Sequence, residues 1–257
     1  MAALAFGAAL WGWFGDPEPV DVAWAPEWGL RFAFQLDGLA ALYALLATGV
    51  GLTTLVYAGG YVPRHLAHQG RSPAEAVRLY GLLLLFMGAM VGLVMAQDLI
   101  LLFVFWDLTA VVSYLLIAYD RQEAESRSAA LMAMLITGIS AVLLLIGSLM
   151  LGARYGTFAI PEILAAIGGT NGDGYVTGAA AMIAVAGLAK SAQVPLHFWL
   201  PRAMAAPTPV SAYLHSAAMV AAGVFLLGRF YPILVAGDGV RDGLLVVGLA
   251  SMGIGGV

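Results

Sequence analysis

The chain has no cysteine, so neither disulfides nor cysteine-ligated metals are available to it. It is also poor in charge. Asp, Glu, Lys and Arg make up 10% of 257 residues, while a soluble domain carries about 25%. A protein of this size could not clothe a water-facing surface with so few charges. Lysine is almost missing: Lys190 is alone beside ten arginines. The net charge is −4, which leaves no basic face for nucleic acid. Phosphate-binding loops of the GxxxxGK[ST] type, dinucleotide fingerprints and HExxH zinc helices are absent, so no hydrolase or other enzyme chemistry is supported, and no cofactor or metal is expected.

What is there is apolar. Hydrophobic residues account for 62% and the mean hydropathy is +0.93. Runs of about 20 apolar residues fit transmembrane helices, whereas a transmembrane strand needs about 9–11 residues of alternating polarity. The expected fold class is therefore all-α, a polytopic bundle of spanning helices in a lipid bilayer.

Along the chain, a short apolar stretch, Ala2–Phe14, precedes an acidic, proline-rich loop over 15–31. No basic residue comes before Arg31, so the start is not patterned as a signal peptide. Apolar runs follow at 36–57, 79–96, 99–119, 128–151, 176–200, 210–230 and 244–257. Only Gln97 and Asp98 separate the second and third of these, which predicts a tight helical hairpin. Loops are expected over 59–78, 120–127 and 152–175, the last containing Gly168, Gly169, Asn171 and Gly172. Both ends are short for a span and read as cut from a longer parent. The layout is thus a partial helix and extracellular loop over 1–35, leading helices over 36–96, a core over 97–240 and the start of a further helix over 241–257. Arginines number six on the side holding loops 59–78, 120–127 and 201–209, against four on the other. That places the 59–78 loop in the cytoplasm of a multi-pass protein of the cell membrane.

Two charges stand where charge is expensive. Asp107 lies midway along LLFVFWDLTAVVSYLLI, about 13–14 Å from the end of its run at 1.5 Å per residue. A carboxylate at that depth costs on the order of 3 kcal/mol on insertion scales. Lys190, in AMIAVAGLAKSAQVPLHFWLP, lies about 21 Å into its run. A buried lysine, unlike arginine, can give up its proton, so a solitary deep lysine is a candidate proton carrier. The bland alternatives are a structural carboxyl and a snorkelling amine. Pro195, Pro201, Pro207 and Pro209 crowd the next stretch and predict a broken helix, a feature tolerated at membrane depth where it lines a cavity. Ser191 and Gln193 add polar groups beside the lysine. His215 suits proton relay and His197 is a lesser candidate; both are also plausible structural residues. His65 and His68 read as solvated, Asp37 and Asp98 as structural, and Trp106 as packing.

These segments resemble the antiporter-like subunits shared by respiratory complex I and the Mrp-type multisubunit Na⁺/H⁺ antiporters. The likeness is carried by KSAQVPLHFWLPRAMAAPTPVSAYLHSAAMVAAGVFLL, FQLDGLAALYALLATGVG and FVFWDLTAVVSYLLIAYD, and runs from about Phe34 to Leu227. WDLT and PTPVSAYLHSA look closer to the Mrp-type A chain than to its complex I counterpart. The resemblance implies about fourteen helices in two inverted five-helix repeats, each with a broken helix carrying a lysine, of which this chain would hold the first repeat and the start of the second. It implies that Asp107, Lys190 and His215 carry protons and that Ser191, Gln193, Pro195, Pro207 and Pro209 form a hydrated helix break. It also implies other membrane subunits as partners and H⁺ and Na⁺ as the transported ions. Two alternatives remain: a proton-pumping component of complex I, and a structural component that conducts nothing. Two positions depart from the family pattern: Asp107 stands where glutamate is usual, and Ala221 stands where Mrp-type chains usually have lysine.

Overall fold

The computed structural model describes residues 1–15, 17–167 and 173–255. Asp16 and the expected glycine loop Gly168, Gly169, Asn171 and Gly172 lie outside them. Helix α1 spans Ala2–Phe14. Strands β1 (Val20–Ala25) and β2 (Leu30–Phe34) follow, then α2 (Gly38–His68), α3 (Glu75–Met95), α4 (Leu99–Ile117), α5 (Ala124–Tyr155), α6 (Ile160–Ile167) and α7 (Gly174–Lys190). Short helices α8 (Trp199–Ala203) and α9 (Thr208–Tyr213) lead through a π-helical segment, Leu214–Ala218, into α10 (Met219–Arg229), then α11 (Tyr231–Ala236) and α12 (Val240–Gly255). Among the described residues, α2, α3, α4, α5 and the continuous stretch Thr208–Arg229 are long and apolar enough to cross a membrane.

Three expectations about loops are corrected, the first being the loop over 152–175, which holds α6 because Ile160, Ile163 and Ile167 share one buried face. The 15–31 loop holds an antiparallel β-hairpin instead, with Val20 opposite Phe34 and Asp21 paired to Arg31 across the strands at 2.7 Å. Its turn closes through Gly29, whose φ of 70° suits glycine. The basic loop over 59–78 is helical as far as His68, with Pro63 inside α2. At about 46 Å, α2 outruns the ~30 Å hydrocarbon core, so its last turns carry polar residues at no membrane cost. His65 is not solvated as expected: its Nε2 lies 3.0 Å from Asp120, which also holds Arg71 at 2.6 Å. The hydrogen bond and charge of Glu75 keep the Arg71 guanidinium firmly protonated, and Arg71 also stacks over Tyr119.

Small residues let the helices approach at backbone distance, as in lipid-embedded bundles generally. The buried face of α2 reads Ala40, Ala44, Ala47, Gly51, Thr54, Ala58 at alternating spacings of four and three. A Cβ on Gly51 would sit 3.0 Å from the hydroxyl of Tyr213, which donates to the Ala47 carbonyl. On α5, a Cβ at Gly147 would sit 2.9 Å from Ile183 and 3.1 Å from the Ala179 carbonyl of α7.

The tight hairpin between α3 and α4 forms as expected. Asp98 caps α4, its Oδ1 accepting from the Ile100 and Leu101 amides at 2.9 and 3.0 Å. Extended segments 33–35 and 158–160 clip onto either side of this turn through backbone bonds such as Gln97 N to Ala33 O and Leu99 N to Phe158 O. Burial pushes the Asp98 carboxyl up, against the capping amides that lower it. Oδ2 lies near the Arg31 backbone but makes no hydrogen bond of good geometry. Asparagine could keep the cap without a buried charge. Asp98→Asn is therefore expected to leave thermal unfolding of the purified protein within about 0.5 kcal/mol of the parent, while Asp98→Ala lowers stability by about 1 kcal/mol.

Candidate functional site

Lys190 is the last residue of α7, and its helix ends there for reasons visible in the backbone. Ser191 turns back to donate its hydroxyl to the Gly187 carbonyl at 2.7 Å, and Gln193 N closes onto Leu188 O at 2.9 Å. Ala192 between them takes a left-handed φ of 52°. The prolines beyond prevent the helix from resuming, and the expected break stands at Ser191–Pro195. The carbonyl of Ala189, freed by the break, is caught by the buried Trp199 indole at 3.1 Å. Gly223 of α10 packs directly on the break: a Cβ there would sit 2.8 Å from Ser191 and closer still to the Gly187 carbonyl.

The amine itself is fully buried, at 0% exposure, so the snorkelling alternative does not describe this structure. It is held by one turn of α4. Nζ donates to the Trp106 carbonyl at 2.8 Å and to Thr109 Oγ1 at 2.6 Å, and it lies 4.1 Å from the centre of the Trp106 ring. The Thr109 hydroxyl in turn donates to the Trp106 carbonyl at 2.7 Å. The Trp106 indole is fixed by donating to Ser140 Oγ of α5 at 3.0 Å. An ammonium has three N–H donors, and here two oxygens and one π face answer them.

Asp107 is the next residue after Trp106, on a different face of α4. It is half-buried and makes no ion pair with Lys190 within 4 Å, so a static salt bridge between the two is not formed. His215 lies in the π-helical segment, a local over-winding that recurs at functional sites. Both of its ring nitrogens are shielded from solvent without a hydrogen bond of good geometry, beside the Ala203 backbone. Its ring is 6.4 Å from that of Trp199. Trp199 thus stands between His215 and the carbonyl adjoining Lys190.

The other expected residues divide. Ser191 and Pro207 are buried, and Gln193 is half-buried, its amide donating to the Ser191 carbonyl at 3.1 Å. Pro209 is buried in the first turn of α9, after Pro207 as its N-cap. Pro195 and His197 are exposed, and His197 stands apart from the amine's partners. Three partners were missed from sequence. Trp106, read as packing, supplies both a carbonyl and a ring to the amine, while Thr109 and Ser140 complete the cage. Their signal was available: hydroxyls at 109 and 140 inside apolar runs, with Thr109 one turn after Trp106.

The family model described as NADH:quinone oxidoreductase/Mrp antiporter, transmembrane, matches residues 96–257. The chain is 42% identical over 231 residues to a protein of Rhizobium meliloti named as the probable A/B component of a K⁺/H⁺ antiporter, covering 90% of this chain and 22% of that one. It is 37% identical over 229 residues to the A1 component of a Na⁺/H⁺ antiporter of Staphylococcus aureus, covering 89% and 28%. A chain in the structure of the Mrp complex from Dietzia sp. superposes with a TM-score of 0.77 at 37% identity, over 89% of this chain and 24% of that one. The chain thus spans about a quarter of the length of these relatives, and its fold is that of the antiporter-like membrane subunits.

Lys190 is better satisfied than most buried charges, yet an apolar side chain of similar length would avoid its desolvation altogether. Replacing buried ions this way runs from neutral to about 4 kcal/mol stabilising. Lys190→Met is expected to assemble with an unchanged or higher Tm in thermal unfolding of the purified protein. A clear drop in Tm would mean that the amine is there to hold the fold.

Proposed function

Because the chain belongs to the NADH:quinone oxidoreductase/Mrp antiporter transmembrane family, we propose that it is a proton-conducting segment of a multisubunit monovalent cation/proton antiporter in the cell membrane. Its partners are the other membrane subunits of that complex. Na⁺ is the exchanged cation in the name of one relative and K⁺ in that of another. The observation that carries the reading is a fully buried lysine at a helix break, held by hydroxyl, carbonyl and ring rather than by a fixed counter-ion.

The relay runs through three groups on three helices. An ionised Asp107, one residue along α4 from the carbonyl that Nζ bonds, favours the charged form of the Lys190 amine. When that carboxylate is protonated or its field is otherwise neutralised, the ammonium is left in an apolar bundle and gives up its proton. Because no salt bridge has to be broken first, the exchange needs only small side-chain movements. His215 is the next acceptor, its shielded ring beside the Ala203 backbone on the far side of Trp199. Water at the break, drawn by Ser191 and Gln193, links the two. The loop side carrying Arg64, Arg71 and Arg78 faces the cytoplasm.

The test uses everted membrane vesicles carrying the whole complex, with proton movement read on addition of Na⁺ or K⁺. Lys190→Ala is expected to reduce antiport at least tenfold while the complex still assembles, and Asp107→Asn to reduce it while Asp107→Glu retains it. Antiport at the parental rate in Lys190→Ala would refute the relay.

A further inference from the structure

The cage around Lys190 treats the two protonation states of the amine differently. A backbone carbonyl and an aromatic face can only accept, so the Trp106 carbonyl and ring can take the two N–H groups that a neutral amine keeps but give nothing to its lone pair. That lone pair wants a donor, and among the groups that hold the nitrogen it has to come from a side chain. Thr109 differs, because a hydroxyl both donates and accepts. At present it accepts from Nζ at 2.6 Å and spends its own proton on the Trp106 carbonyl at 2.7 Å. Rotation about its C–O bond would turn that proton toward Nζ, with no movement of the backbone.

We propose that Thr109 is a positioning residue that lets Lys190 lose and regain its proton in place, by reversing the direction of one hydrogen bond. The proposal rests on the relay described above and adds a residue to it. In the step, one N–H bond of the ammonium breaks and the proton leaves to the Asp107 carboxylate or to water at the break. The electron pair stays on nitrogen, and the Thr109 hydroxyl turns from the Trp106 carbonyl to donate to that pair. Reprotonation returns both. No other partner of the amine can do this, since Ser140 is reached only through the Trp106 indole, whose N–H it accepts. Among the described residues no carboxylate forms an ion pair with the amine.

Threonine is also the smallest change from a residue that could not serve. Valine has the same shape without the hydroxyl, and serine keeps the hydroxyl in a smaller side chain. In vesicles carrying the full complex, the pH profile of antiport is measured for Thr109→Val and Thr109→Ser. Valine is expected to cut the maximal rate at least tenfold or to move the midpoint of the profile by at least half a pH unit, and serine to stay within twofold of the parent with an unmoved midpoint. A valine variant with the parental rate and profile overturns the proposal, as does a serine variant that behaves like valine. If Thr109→Val does not assemble, the double variant Thr109→Val, Lys190→Met decides. Its assembly shows that the hydroxyl is needed only when the amine is present, and its failure to assemble overturns the proposal by making Thr109 a packing residue. A silent Thr109→Val beside an inactive Lys190→Ala would sink this inference and leave the relay intact.

Discussion

A single amine taken wholly out of water is the constraint around which this part of the molecule is organised. It has no counter-ion within bonding distance, so every one of its donors has to be met by something neutral. One turn of α4 does this with a carbonyl, a hydroxyl and an indole face. The indole is in turn locked from α5, and the lysine is delivered by the abrupt end of α7. Three helices are therefore fixed relative to one another by the needs of one side chain. The arrangement holds a proton without gripping it, since neutral partners leave the charge dependent on a more distant carboxylate.

The break in α7 solves a second problem created by the first. Ending a helix in a membrane exposes carbonyls that cost free energy unless something answers them. The Trp199 indole answers that of Ala189, the Ser191 hydroxyl adds a second bond to the Gly187 carbonyl, and the Gly187–Gly223 approach lets α10 seal the end at backbone distance. The π-helical segment bearing His215 lies in the same neighbourhood, so two irregular backbones come close on either side of Trp199. Elsewhere the bundle is regular, and its close packing rests on alanine, glycine and hydroxyl stripes along α2 and α5.

Much of this was legible in the residues. The long apolar runs, the two-residue turn at Gln97–Asp98, the burial of Lys190 and the proline-driven break all follow from local chemistry and hold in the structure. The β-hairpin over 20–34 was not legible, because its alternating residues are sheltered only by pairing with each other and with the α3–α4 turn. The polar end of α2 was read as loop because charge and Pro63 mask a helix that has already left the membrane. His65 was misread for a related reason: its partner Asp120 lies 55 residues away and only the fold brings them together.

By itself the sequence determined that the chain is a multi-pass bundle of apolar helices, and which ionisable groups stand inside apolar runs, since these depend on the energy of burying a residue whatever its neighbours. Only the tertiary structure decided what answers the lysine. The expected partner was the aspartate, nearest in charge. The observed partners are its neighbours Trp106 and Thr109, because a helix turns about 100° per residue and Asp107 projects from a different face of α4 than the one that meets α7. Which of two adjacent residues faces a given helix is set by how the helices pack, and a linear sequence does not carry that angle.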